Sequence, residues 1–170
     1  MEMNFCRRCG NPLKRDGASY VCTKGHLLFA NSAPAQGLLL VKDRQVLLAE
    51  RAVDPGKGKL DMPGGYCEWG ETFEAATARE LKEEVGLGPS DHGDLHYLFS
   101  HAEPYEFDGE KNNVLGVVYW AELGPQAKIT LGDDLAGHYE WVDSKVAPER
   151  LAFEAIGLGL ARLKALGIID

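Results

Sequence analysis

No run of about 18 consecutive apolar residues occurs in this 170-residue chain, so the span needed to cross a bilayer as a helix is missing. No apolar segment follows Arg7-Arg8 near the start, which removes the central feature of a secretory signal. Positive charge is scarce as well: 18 Lys and Arg stand against 26 Asp and Glu, for a net charge of −8. An acidic body of this kind argues against broad non-specific binding to nucleic acid, and neither a helix-turn-helix pattern nor an extended basic arm is visible. Cysteine is limited to Cys6, Cys9, Cys22 and Cys67. Without an export signal, these favour metal ligation or free thiols over disulfides. The expected compartment is the cytoplasm, and the length suits one ordinary domain with at most a small appendage.

Against this background, the segment from Met62 to Leu87 concentrates chemistry. Gly64-Gly65 after Pro63 predicts a tight turn where backbone comes close to a ligand, because glycine carries no Cβ. A helix is expected next, with Thr72 as N-cap, the Ala-rich run from Ala75 to Ala78 and Gly86 as a left-handed C-cap. At about 100° per residue, Glu80, Glu83 and Glu84 share one face, and Ala78, Leu81 and Val85 fall on the side expected to bury. Like charges at that spacing repel, and a hard divalent cation with oxygen ligands offsets the repulsion. The alternative is a solvated acidic face balanced by Arg79 and Lys82.

Spacing narrows the choice. Gly65, Glu71, Arg79-Glu80-Leu81, Glu83-Glu84 and Gly86-Leu87 are nine constrained positions over 23 residues, and the pattern resembles the Nudix box at each of them. The resemblance implies a Nudix hydrolase with an α/β/α sandwich and a mixed sheet. Such an enzyme uses water and Mg²⁺ or Mn²⁺ to cleave a nucleoside diphosphate linked to another moiety. It implies that Glu80, Glu83, Glu84 and the Gly65 carbonyl ligate the cation while Glu71 and Arg79 orient the cluster. Glu80, Glu83, Glu84 and Arg79 then form the catalytic set. Glu80 is the expected general base, with Glu103, Glu106, Asp133 and Asp134 as competitors.

The N-terminal segment carries a second constellation. Cys6-Arg-Arg-Cys9-Gly10 is a knuckle that brings two thiolates to one ion, and Cys22-Thr-Lys-Gly-His26 closes the set. Three thiolates and one imidazole suit tetrahedral Zn²⁺, and a ribbon of under thirty residues has too little core to fold without such a staple. Several Nudix proteins, the NADH pyrophosphatase group among them, carry a similar ribbon with two paired-cysteine knuckles. Here Gly25 stands where the fourth cysteine is expected and His26 follows it. The expected division is a zinc ribbon over residues 1–30 and a Nudix domain over residues 34–170. Residues 1–30 carry a net charge of +3, which leaves −11 for the remainder.

Beyond the box, Gln36 to Val41 and Val46 to Arg51 read as an antiparallel hairpin, Leu95 to Ser100 as a strand and Val114 to Leu123 as a central strand. Glu140-Trp141-Val142 is expected to form a strand after the acidic loop, and Pro148 to Leu166 a packing helix weakened by Gly157 and Gly159. Arg51, at the end of the second strand, and Tyr105 and Phe107 are the candidate substrate contacts, through phosphate pairing and ring stacking respectively. The NADH pyrophosphatase group resembles Ser100-His-Ala-Glu-Pro-Tyr-Glu-Phe107 only in fragments of its Ser-Gln-Pro-Trp-Pro-Phe-Pro signature. The expected substrate is therefore a small nucleotide such as a dinucleotide, ADP-ribose or an NADH-like molecule. The alternatives are a house-cleaning nucleoside triphosphate pyrophosphohydrolase, or a non-catalytic nucleotide sensor whose ribbon grips nucleic acid or protein. No membrane partner is expected, nucleic acid only as a capped RNA end, and a homodimer is compatible with the sequence.

Overall fold

A computed structural model describes the backbone of residues 3–107, 109–133 and 135–170, and all their side chains except those of Phe107, Glu110, Lys111 and Asn112. The chain forms two compact units. One comprises residues up to Ala33 together with Glu103–Val114, and the other Pro34–Ala102 and Leu115–Asp170.

In the first unit, β1 (Leu13–Asp16), β2 (Ser19–Cys22) and β3 (Leu27–Phe29) form an antiparallel meander. Gly17 at φ 59° makes the first turn. Its buried cluster is Cys6, Cys22 and Leu28, edged by Met3, Cys9 and Leu13, so half of these side chains are thiols rather than ordinary core residues. Phe5, Leu27 and Phe29 are exposed.

The remaining elements are β4 (Ala33–Lys42), β5 (Gln45–Arg51), β6 (Leu60–Asp61), β7 (Gly64–Tyr66), β8 (His96–Phe107), β9 (Glu110–Glu122) and β10 (Leu135–Val142), with helices α1 (Phe73–Val85) and α2 (Glu154–Ala165); all lie in the second unit except Ala33 and the Glu103–Val114 parts of β8 and β9. The strand order is β10-β5-β4-β9-β8, with β6 paired to β5 and β7 to β4. Asp43 and Arg44 both take positive φ in the two-residue β4–β5 turn, the backbone that matches strand twist in a tight hairpin.

Both faces of the sheet are covered, which is why β4 and β5 read as continuous apolar runs rather than alternating ones. Leu38, Leu40 and Leu47 pack with Leu81, Val85 and Leu87 on the α1 side. Leu39, Val41, Val46 and Leu48 pack with Ile156, Leu160 and Leu163 on the α2 side. The result is the α/β/α sandwich. Among the described residues, no helix is long and apolar enough to cross a membrane.

Several local expectations are corrected. Gly64-Gly65 is not a free turn: it lies in β7 and pairs with Gly37 and Gln36 of β4. The strand expected to end at Ser100 runs on to Phe107, and β9 lies between β4 and β8, leaving the centre to β4. The C-terminal helix is divided into a 3₁₀ turn at Pro148–Arg150 and α2. The break falls where Leu151 bridges to Leu60 and Ala152 N–H donates to Leu60 O, so that backbone is engaged with β6 instead of a helix. Gly159 lets α2 seat closely on the sheet, since a Cβ there would lie 2.6 Å from the Leu39 side chain.

Candidate functional site

Helix α1 forms as its sequence dictates. Thr72 Oγ1 accepts from Ala75 N–H, and Gly86 at φ 71° closes the C-terminal end. The face it buries differs from expectation: Ala76, Thr77, Leu81 and Val85 are buried, whereas Ala78 is exposed. The buried arc therefore includes the positions beside Glu80 and Glu84, and these two carboxylates turn toward the sheet. Glu83 stays in solvent, with 58% side-chain exposure against 15% for Glu80.

Gly64 N–H donates to Glu84 Oε2 at 2.8 Å. The Glu80 carboxylate lies over Gly65, where a Cβ would come within 2.5 Å of Oε1. A Cβ at Gly64 would collide with Gln36 O, so the neighbouring strand requires glycine there, whereas a Cβ at Gly65 would displace the Glu80 carboxylate. Burial, the largest cause, pushes the Glu84 carboxyl up to about 8. The Gly64 N–H opposes this, the negative charges of Glu80 and Asp61 add to it, and Arg51 opposes it again. A buried carboxyl with two further negative charges beside it is a donor set that fits a divalent cation.

Arg79 organises the other side of the cluster. Its guanidinium donates to both Glu71 oxygens at 2.9 and 3.0 Å, to Glu80 Oε1 at 2.7 Å, to Glu83 Oε2 at 3.1 Å and to Tyr66 O at 3.0 Å. Glu71 is held well below the usual carboxylate range, chiefly by its hydrogen bonds from Arg79 and then by the Glu68 N–H. The reciprocal bonds Glu68 N–H to Glu71 Oε2 and Glu71 N–H to Glu68 O lock the loop before the helix. A planar five-donor fork is what this site requires, and a lysine supplies no equivalent.

The acidic loop reaches the same helix. Gly132 N–H donates to Glu84 O and Thr130 N–H to Val85 O, satisfying carbonyls that a helix end leaves unpaired. A Cβ at Gly132 would strike Glu83 O. Asp133 thus follows directly on a segment fastened beside Glu83 and Glu84, and Asp134 lies outside the described residues.

Arg51 is already occupied by neighbours. Its Nη1 donates to Asp61 Oδ2 at 2.6 Å, its Nε to Pro55 O at 2.7 Å, and its guanidinium lies 5.2 Å from the Phe153 ring centroid. Tyr105 and the competing base Glu103 are half-buried on β8 within the first unit, and the other competitor there, Glu106, is exposed. The side chain of Phe107 lies outside the described residues.

In the first unit, the candidate ligand atoms of Cys6, Cys9, Cys22 and His26 all lie within 4.8 Å of one another. Cys6 Sγ is 3.6 Å from His26 Nδ1 and Cys9 Sγ is 3.7 Å from Cys22 Sγ. Two like turns build the cluster: Cys9 N–H donates to Cys6 O, and Gly25 N–H to Cys22 O. Gly25 thus holds the place of a fourth cysteine, and His26, one residue on, meets the cluster with a longer side chain. No disulfide forms among the four cysteines.

The sequence reading missed three participants. Asp61 faces both Arg51 and the Glu84 charge. Gln36, only 5% exposed, meets Thr77 across the α1–β4 interface, and its Nε2 has no partner among the described residues. For Gln36 a weak signal existed, a polar residue opening an apolar run that continues from Leu38 to Val41; for Asp61 and Thr77 none did.

Comparison with known proteins matches the NUDIX domain over residues 32–158. The ADP-ribose pyrophosphatase of Methanocaldococcus jannaschii is 35% identical over 133 residues, 77% of this chain and 73% of that protein. The human mitochondrial NAD(P)H pyrophosphatase NUDT13 is 35% identical over 86 residues, 49% of this chain but 24% of that protein. Among solved structures, a NUDIX hydrolase from Nitrosomonas europaea superposes with a TM-score of 0.70 at 23% identity, covering 96% of this chain and 91% of that one.

Proposed function

Because the chain belongs to the NUDIX domain family, we propose that it is a pyrophosphohydrolase acting on a nucleoside diphosphate linked to a sugar or a second nucleoside, of the ADP-ribose class. The observation that carries this reading is the convergence of the Glu80 and Glu84 carboxylates on Gly64-Gly65, with Arg79 bracing Glu71, Glu80 and Glu83. The relative matched over most of its length is named as an ADP-ribose pyrophosphatase, which supports the substrate class.

Glu80, Glu83, Glu84 and the Gly65 carbonyl would hold Mg²⁺ or Mn²⁺. When bound, the cation shields the pyrophosphate charge and lowers the pKa of water. The chain's own part is to position and to carry protons. Arg79 fixes the Glu80 carboxylate against Gly65, and the Gly64 N–H holds that of Glu84. Glu80 takes the proton of the attacking water, with Asp133 as the competitor on the fastened loop. The water oxygen joins one phosphorus as the bridging P–O bond breaks, leaving two monophosphorylated halves.

The Cys6–Cys9–Cys22–His26 cluster we assign to structural Zn²⁺, since it supplies half of the side chains in an otherwise minimal core.

Incubation with ADP-ribose, NADH, diadenosine polyphosphates and nucleoside triphosphates in Mg²⁺, followed by product analysis, tests the reading. AMP plus ribose 5-phosphate from ADP-ribose is expected. Pyrophosphate plus a nucleoside monophosphate as the preferred products would replace it with a triphosphate-directed enzyme.

A further inference from the structure

Among the described residues, Gln36 and Thr77 are polar yet buried, at 5% and 1% exposure. Burying an amide with one atom unpaired is costly, so the placement calls for a partner. Thr77 Oγ1 lies 2.9 Å from Gln36 Oε1 and 2.8 Å from Phe73 O. Its single hydroxyl proton cannot serve two acceptors. The oxygen and nitrogen of a carboxamide exchange places by a half-turn. With Gln36 so turned, Nε2 donates to Thr77 Oγ1 and the hydroxyl donates to Phe73 O, and the unpaired atom becomes the acceptor Oε1.

The surroundings of that atom follow from the register. Gln36 is directly opposite Gly65 in the antiparallel β4–β7 pair, and opposed residues share a face with Cβ positions about 4.5–5.5 Å apart. On that face, a Cβ at Gly65 would touch Glu80 Oε1. Thr77 stands one turn before Glu80 on α1, which places the Gln36 amide and the Glu80 carboxylate in the same wedge between helix and sheet. Among the described residues, Glu80 Oε1 already accepts from Arg79 Nη1 and Gly65 pairs with Gln36 through the backbone, so the acceptors left in the wedge are the second Glu80 oxygen and Gln36 Oε1. A water is the simplest donor able to satisfy them.

We propose that Gln36 is a positioning residue for the Glu80 end of the carboxylate cluster, its Oε1 accepting from a water held among the carboxylates and its Nε2 anchored on Thr77. The proposal rests on the cation-binding reading of that cluster. Through the water, Gln36 orients Glu80 for its ligand without touching the substrate, so its loss acts on cation affinity.

Mn²⁺ binding to the full chain, followed by the EPR signal of free Mn²⁺ alongside thermal melts, separates the possibilities. Gln36→Met, of similar shape but without an acceptor, is expected to weaken Mn²⁺ binding about tenfold, the effect typical of losing a group that orients a metal ligand. Gln36→Glu keeps an acceptor and is expected to bind within about twofold of wild type. Wild-type affinity in Gln36→Met, or weaker binding in Gln36→Glu than in Gln36→Met, overturns the proposal. Should neither variant fold, Thr77→Val removes the anchor alone: affinity about threefold lower supports the proposal, and unchanged affinity overturns it. Glu84→Gln is the control for the underlying reading, since unaltered Mn²⁺ binding there would reject the cation site itself rather than the role of Gln36.

Discussion

The thiol cluster of the first unit and the carboxylate cluster on α1 both gather ligand-type side chains, yet they stand in opposite relation to their surroundings. Cys6, Cys9, Cys22 and His26 converge within 4.8 Å in a unit whose buried cluster is made largely of those same cysteines. Glu80, Glu83 and Glu84 project from a helix anchored by Leu81 and Val85 in a large apolar core, and Arg79 already offsets part of their repulsion. A ligand set that is also the core makes folding depend on its ion. A ligand set mounted on a separate core leaves the fold intact and places the dependence on activity instead.

Glutamine substitutions in the carboxylate cluster test this contrast most severely. Glu84→Gln and Glu83→Gln are each expected to lower kcat by roughly a hundredfold or more while the thermal transition of the second unit persists. Rates matching wild type at saturating Mg²⁺ would sink the cation site. In the first unit the converse is expected. Cys22→Ser should abolish stoichiometric zinc, measured by atomic absorption, and expose the amides of residues 13–29 to hydrogen exchange. His26→Cys should retain the metal. A ribbon that stays protected after zinc removal would erase the distinction between the two clusters.

Arg79→Lys sharpens the second half of the comparison, because it keeps the charge and loses the fork. Turnover about ten- to a hundredfold lower is expected, as for other groups that hold ligands in place, with little change in KM. Retention of full activity would mean that charge alone organises Glu71 and Glu80.

The smallest effect concerns pH. Glu84 binds its proton more tightly in the folded protein, so the stabilisation it gives is complete below about pH 4.5 and is lost as pH rises through about 8. In metal-free protein, Glu84→Gln should therefore melt some 4 °C or more above wild type at pH 9, and near it at pH 5. Equal melting temperatures at pH 9 would place Glu84 in contact with water after all.

Much of this was legible beforehand because it depends on neighbours in sequence. The helix from Phe73 to Val85, its Thr72 cap and Gly86 stop follow from local hydrogen bonding and backbone freedom. The covered sheet follows from the apolar runs of β4 and β5. The carboxylates and the two knuckles follow from spacing. Local rules failed where a distant segment intervened. The Leu60 contact split the C-terminal helix, and β4 converted the Gly64-Gly65 turn into a strand. Arg51, expected to meet phosphate, is engaged by Asp61, Pro55 and Phe153, and the Glu103–Val114 stretch clusters with the N-terminal residues.

The sequence by itself determined which ligands are present and in what order, since helical and knuckle spacings are set by a few covalently linked residues. Only the tertiary structure decided which of them leave water. The Glu84 pKa is driven up to about 8 because packing buries the carboxyl and brings Asp61, from another part of the chain, near it. Gln36 matters because β4 and α1 meet at Thr77. Burial is a property of the packed assembly, and no spacing in a sequence carries it.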